Sequence, residues 1–155
     1  GGGGSGGGGA PSQYLITVTW DLYILDSWDG NDTTLYGEDR FSLFAQNRPI
    51  FSETFSNQPG VSQSAPTPTV GPVPMWWNSW NDSIYRNLSA SFIYDDGGEI
   101  VLKWMDHGLQ GLEDESWGLD NIRVSYSIVP APGTALALLG CVPVASGRRR
   151  RHAVR

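Results

Sequence analysis

Residues 14–25 read Tyr-Leu-Ile-Thr-Val-Thr-Trp-Asp-Leu-Tyr-Ile-Leu, and this alternation constrains the fold more than any other stretch. In an extended chain successive side chains point to opposite faces. Ile16, Val18, Trp20, Leu22 and Ile24 therefore share one face, and Thr17, Thr19, Asp21 and Tyr23 the other. A helix cannot gather a period of two onto one side. The segment predicts a long strand with one apolar face, and that face needs a second layer to bury it.

Other segments repeat the pattern on a shorter scale. Residues 40–45 and 50–55 read as a hairpin around Gln46-Asn47-Arg48-Pro49. Residues 56–74 are rich in Pro, Ser, Thr and Gly, which predicts a long excursion. Residues 83–94 alternate again, with Ile84, Leu88, Ala90, Phe92 and Tyr94 on even positions. Asp95-Asp96-Gly97-Gly98 predicts a turn, 99–105 a returning strand and 121–126 a last strand. No segment sustains a helical period. The expected fold is all-β, an antiparallel β-sandwich of jelly-roll type over residues 10–127. Its expected core comprises Ile16, Val18, Trp20, Leu22, Phe41, Leu43, Phe92, Leu102, Ile122 and Val124.

Charge is segregated along the chain. All 16 acidic residues but only 5 of the 10 basic ones fall within 10–127, a net charge of −11 for that span. Such a surface repels nucleic acid and attracts divalent cations. Cys141 is the one cysteine, so neither a disulfide framework nor a cysteine metal site is available. Residues 1–9 are a Gly-rich linker or low-complexity segment by composition.

Two loops carry carboxylates around a Ser-Trp pair: Asp26-Ser27-Trp28-Asp29-Gly30, and residues 113–121, which hold Glu113, Asp114, Glu115, Ser116, Trp117, Asp120 and Asn121. Crowded carboxylates repel one another unless a cation or solvent relieves them. Calcium takes six to eight oxygens, often from separate loops. Asp26, Asp29, Asp39, Glu115, Asp120 and Asn121 are the expected ligands of a structural calcium ion if the loops meet. The same residues also suit ordinary surface turns. Trp76, Trp77 and Trp80 lie in an irregular segment and are candidates for stacking on sugar faces; capping an open end of the fold is the alternative.

Chemistry-bearing motifs are few. Glu113, Asp114 and Glu115 are consecutive, so they do not share a strand face as paired glycosidase carboxylates would. A Ser-His-Asp site would have to use His107, whose neighbours suggest a turn. The expectation is a protein that is not an enzyme.

The chain ends in three contrasting pieces: a Pro-rich stretch, an uncharged apolar segment at 133–147, and a basic end at 148–155 with Arg148, Arg149, Arg150 and Arg151. This tail, 128–155, resembles the PEP-CTERM sorting signal of bacterial exported proteins, also named an ice-binding protein C-terminal domain. Val129-Pro130-Ala131-Pro132 corresponds to that family's Val-Pro-Glu-Pro motif, with Ala131 at the Glu position. The resemblance implies export, a short hydrophobic helix, transient membrane anchoring and processing by an exosortase-type protease. It also implies a signal peptide upstream of Gly1. Orientation follows from the arginines, which stay on the cytoplasmic side. The apolar segment spans 15 residues, below the roughly 20 that cross a bilayer.

A second resemblance covers most of residues 20–124. Trp20 to Gly30, Asp39-Arg40-Phe41, Thr54-Phe55-Ser56-Asn57 and Gly108 to Val124 look like an uncharacterised family of exported bacterial β-sandwich domains. The ending Gly118-Leu119-Asp120-Asn121-Ile122-Arg123-Val124 is similar to the last strand of lectin-like and galactose-binding-like jelly rolls, which implies a cation-ligating role for Asp120. It also implies an initial strand ahead of residue 10. Taken together, the expected function is a non-catalytic, exported cell-envelope or extracellular-matrix protein that binds polysaccharide. A structural matrix module, or a fragment of a secreted glycan-active hydrolase, is the alternative.

Overall fold

The structure, a computed structural model, describes residues 13–130 apart from 77, 78 and 96. The described residues form seven strands: β1 (Gln13–Asp26), β2 (Arg40–Ala45), β3 (Arg48–Thr54), β4 (Val70–Val73), β5 (Asp82–Tyr94), β6 (Leu102–His107) and β7 (Glu115–Val129). They make two antiparallel sheets, one ordered β4-β5-β1-β7 and the other β3-β2-β6. Among the described residues no helix is long and apolar enough to cross a membrane.

The alternation of β1 sets the architecture. Val18, Trp20, Leu22 and Ile24 project into one core together with Phe41 and Leu43 of β2 and Tyr85, Leu88 and Ala90 of β5. Trp20 stands edge-on to Phe51 of β3, with ring centroids 5.1 Å apart, which ties the two sheets together. Phe55, just past β3, meets Tyr85 at 4.8 Å and Phe41 at 6.4 Å in T-shaped pairs. Each such pair adds about 0.5–1.5 kcal/mol beyond its area burial.

Local sequence explains the ends and edges. The β2–β3 turn is Gln46-Asn47, both left-handed at φ 49° and 62°; such two-residue turns match the twist of the paired strands. The hairpin is thus tighter than the four-residue turn expected, and Arg48 and Pro49 belong to β3. Pro49 and Pro72 sit in β3 and β4, both edge strands, where a missing N–H is tolerated.

Four expectations are corrected. Ile122 and Val124 are not in the core; they are 46% and 54% exposed. β7 is an edge strand, and the opposing sheet has three strands against four, so among the described residues nothing stands opposite the inner face of β7 beyond Leu119. Phe92 and Leu102 are half-buried at the core margin. Strand 102–107 does not return beside β5 but crosses to pair with β2 in the other sheet. The last strand begins at Glu115 rather than 121, so all of the acidic loop from Glu115 onward is strand.

β7 runs through Ile128 and Val129, and Val129 pairs with Gln13. The rest of the tail lies outside the described residues: Ala131, Pro132, the apolar segment with its expected helix, and Arg148 to Arg151.

Candidate functional site

Three connections converge where β1 ends: residues 27–39, residues 55–69 and residues 108–114. Asp26 closes β1 in the left-handed region, at φ 69°, and turns the chain inward. Trp28 follows, fully buried. Its indole N–H donates to the Ser116 carbonyl at 2.9 Å, and its ring stands edge-on to Phe55 at 6.3 Å. These contacts fix Asp29 in the interior, where it also bridges Ser56.

Glycine is required on both sides of this point. Gly30 has φ 61°, and a Cβ there would lie 2.5 Å from the Ser62 carbonyl oxygen. Gly108 has φ 100°, with the Glu38 carbonyl and the Asp39 carboxylate against the place a side chain would take. Asp39 is held between the two: its N–H donates to the Gly30 carbonyl at 3.0 Å and its carbonyl accepts from Phe55 N–H at 3.1 Å. Glu115, first residue of β7, enters from the third side.

Asp29, Asp39 and Glu115 consequently bring one carboxylate oxygen each within 4.8 Å of one another. Their exposures are 5%, 1% and 0%. All their hydrogen-bond donors are neutral. The Asp29 N–H donates to Asp39 Oδ2. The Gln110 N–H donates to Glu115 Oε2 at 2.6 Å, and the Gln110 side-chain amide donates to Asp29 Oδ2 at 3.3 Å. Among the described residues the ion pairs are Arg40–Glu38 and Arg86–Asp21, and neither involves the triad.

Burial without a counter-charge raises the proton affinity of all three. Asp29 is pushed up to about 6, first by desolvation and then by the charges of Asp39, Asp32 and Asp114. Glu115 is pushed up to about 7, again by desolvation first and then by Asp39, Asp29 and Asp114. Asp39 is raised by desolvation, opposed by its hydrogen bonds with Asp29 and Glu115. Three hard oxygen donors converging in a buried site suit a divalent cation such as calcium, which prefers carboxylate and carbonyl oxygen. The other way to relieve them is to retain a proton.

The other expected ligands lie elsewhere. Asp26 is buried opposite Glu115 in the strand register, but its carboxylate is not among the converging oxygens. Asp120 and Asn121 lie five to six residues along β7 from Glu115, a distance of roughly 17–20 Å at strand rise. Asp120 is exposed and accepts from Asn121 N–H at 2.7 Å, while the Asn121 amide donates to Asp21 at 2.9 Å.

A cleft of about 450 Å³ opens beside the triad, with Asp29, Asp32, Asp114, Tyr36, Trp80 and Gln110 in its lining. Tyr36 and Trp80 are 61% and 49% exposed. Trp76 does not line this cleft; it stands edge-on to Tyr23 at 6.3 Å. Trp77 lies outside the described residues. His107 ends β6 and is exposed.

Sequence reasoning missed two supports of this site. Asn57 is 2% exposed and donates from its amide to the Ile24 and Asp26 carbonyls at 3.1 and 2.8 Å, fixing the end of β1. Gln110 links Asp29 and Glu115. Neither residue sits in a motif; the Thr-Phe-Ser-Asn run at 54–57 was the one available signal for Asn57.

Comparison of the chain with protein-family models, with curated proteins and with solved structures gives no match.

Proposed function

We propose that this protein is a non-catalytic module of the cell envelope or extracellular matrix that binds polysaccharide through a jelly-roll-type β-sandwich held by a structural calcium ion. The observation that carries the reading is the cleft beside the buried triad. Exposed Tyr36 and Trp80 line it together with Asp32, Asp114 and Gln110, and aromatic faces with a few convergent polar groups are how sugar sites are commonly built. Asp29, Asp39 and Glu115 would hold the ion, and the ion would supply charge compensation that lets the three loops pack in one place.

The tail supports export. Val129-Pro130-Ala131-Pro132, the apolar segment and the terminal arginines would anchor the chain transiently and present it to an exosortase-type protease. Nucleic acid is not a partner of a span with net charge −11. A purely structural matrix role is the second reading, favoured by a triad whose hydrogen bonds are all internal.

A glycan array probed with the full chain tests the proposal. Binding that is lost in Trp80→Ala, with the melting temperature unchanged, supports it. An empty array leaves the structural module, and turnover of any arrayed glycan overturns the non-catalytic assignment.

A further inference from the structure

The outer face of the four-stranded sheet carries a polar strip with its own architecture. Thr17 of β1 lies between Ser91 of β5 and Ser125 of β7, and Thr19 between Ser89 and Arg123. The Thr17 and Ser91 hydroxyls are hydrogen-bonded at 2.9 Å. The next residue on this face is Asp21, which is 4% exposed. Both neighbouring strands bulge around it. β5 inserts Arg86 and Asn87 between the partners of Trp20 and Leu22. β7 inserts Asn121 and Ile122 between the partners of Thr19 and Asp21.

Asn87 and Asn121 both adopt left-handed conformations, at φ 55° and 52°. Both are tied to Asp21: the Asn87 N–H donates to Oδ1 at 2.8 Å, and the Asn121 amide to Oδ2 at 2.9 Å. Arg86 adds a third donor at 3.5 Å. Paired bulges at one residue re-aim side chains rather than merely end a ladder. They surround a cavity of about 320 Å³ that Thr19, Arg86, Asn87, Asn121 and Arg123 line over Trp20 and Asp21. Two residues further along the same face of β1 stands Tyr23, with the exposed Trp76 edge-on to it.

We infer that this strip, from Thr17 past the Arg86–Arg123 cavity to Tyr23 and Trp76, is a subsite for an acidic glycan, with the cavity receiving the carboxylate of a uronic acid. The inference rests on the polysaccharide reading and names the ligand class. Asp21 has both oxygens engaged by three donors, so it has little left to offer a sugar hydroxyl. The groups that remain available are donors. The Arg123 guanidinium makes no hydrogen bond among the described residues, and that of Arg86 uses one N–H of its five-donor fork. Guanidinium forks match carboxylates in a planar, two-point geometry. Two of the five basic residues of the acidic span converge here. The nearby Asp120 is turned onto its neighbour's N–H and does not line the cavity. Screening over roughly 8 Å at physiological salt makes this local charge count for more than the net charge of the domain.

The test is a calorimetric titration of the full chain with an oligogalacturonate and with its carboxyl-reduced, neutral counterpart. The uronate should bind about tenfold or more tightly than the neutral oligomer, as expected for a charge-assisted contact, and the preference should fade with added salt. Arg86→Gln and Arg123→Gln, both at exposed positions, should each abolish most of the preference, with at most a small change in melting temperature because the Arg86–Asp21 pair is long and half-exposed on the arginine side. Trp76→Ala should weaken both oligomers alike. Equal binding of the two oligomers, a preference that survives the double arginine variant, or no binding of either overturns the inference. If glycans bind on the array but show no uronate preference, only this inference falls; an empty array removes the polysaccharide reading as well.

Discussion

The indole N–H of Trp28 donates to the backbone carbonyl of Ser116 at 2.9 Å, a bond between residues that are 88 positions apart in the chain. It joins the loop that carries Asp29 to the strand that carries Glu115. The Asp26–Glu115 register pair and the Gln110 bridge hold the same two segments together. Trp28→Phe keeps most of the buried ring but removes the donor and leaves the Ser116 carbonyl unpaired. The expected cost is about 1–3 kcal/mol of stability, read as a lower midpoint in urea with an unchanged slope. An unchanged midpoint would show that the loop is held by other contacts.

Gly30→Ala tests the packing on the opposite side. At φ 61° a Cβ would lie 2.5 Å from the Ser62 carbonyl oxygen and 2.8 Å from the Ser56 Cβ, so backbone has to move. The loss should exceed about 1–2 kcal/mol, above the usual benefit of replacing glycine. Gly97→Ala is the control: its φ is similarly positive, at 68°, but nothing stands within 4 Å, and its cost should be the smaller. Equal losses at the two sites would mean that backbone conformation alone, not the crowded loop, sets the price.

The triad gives a pH dependence with a definite sign. Asp29, Asp39 and Glu115 all have folded-state pKa values above their unfolded values, Asp29 at about 6 and Glu115 at about 7. Between roughly pH 4 and pH 7 the folded state therefore holds more protons than the unfolded chain, and stability falls as pH rises through that window. Thermal melts in chelator should show this decline. Saturating calcium should remove or reverse it, since the ion takes the deprotonated cluster. Chelated melts that rise steadily from pH 4 to pH 7 would contradict the burial described.

Asp21 has the opposite sign. Its carboxyl is held below the usual range first by the Asn87 N–H and then by the Asn121 amide, against desolvation. Its contribution is present above the unfolded pKa near 4 and lost as pH falls below it. Asp21→Ala should remove the acceptor of the Asn87 N–H and the Asn121 amide, both on exposed left-handed residues, for about 1 kcal/mol. Asp21→Asn should recover part of the loss by keeping an acceptor. If alanine and asparagine variants melt together with the parent, Asp21 does not hold the bulges.

How far the sequence could be read depended on whether a feature was local. The alternation at 14–25 is local, and it placed Ile16, Val18, Trp20, Leu22 and Ile24 on the buried face of β1. In β5 the even-position pattern was legible only from Leu88 onward, because the bulge at Arg86 and Asn87 reverses the alternation and puts Tyr85 opposite Leu22; an asparagine in a strand does not announce a left-handed φ. Ile122 and Val124 have the spacing of core residues, yet the width of the facing sheet decides their exposure, and no short window encodes that. The same holds for β6, whose partner is β2. In the site, Asp29 and Glu115 were suggested by carboxylates beside Ser-Trp pairs. Asp120 and Asn121 were grouped with them by treating 113–121 as one loop. Once Glu115 begins a strand, each further residue moves about 3.4 Å away.

The most direct test of the structural-calcium claim is a calcium titration of the full chain, followed by calorimetry at neutral pH, beside the Glu115→Gln and Asp39→Asn variants. Glutamine and asparagine keep volume and hydrogen bonding while removing charge. One ion should bind per chain and raise the melting temperature by several degrees, in line with about 2.7 kcal/mol at a hundredfold excess over Kd. Both variants should lose the binding, and in chelator both should melt at or above the parent temperature, because each removes a buried repulsion. A parent chain with no calcium heat and the same melting temperature in calcium and in chelator would contradict the claim and leave Asp29, Asp39 and Glu115 as a proton-sharing structural cluster.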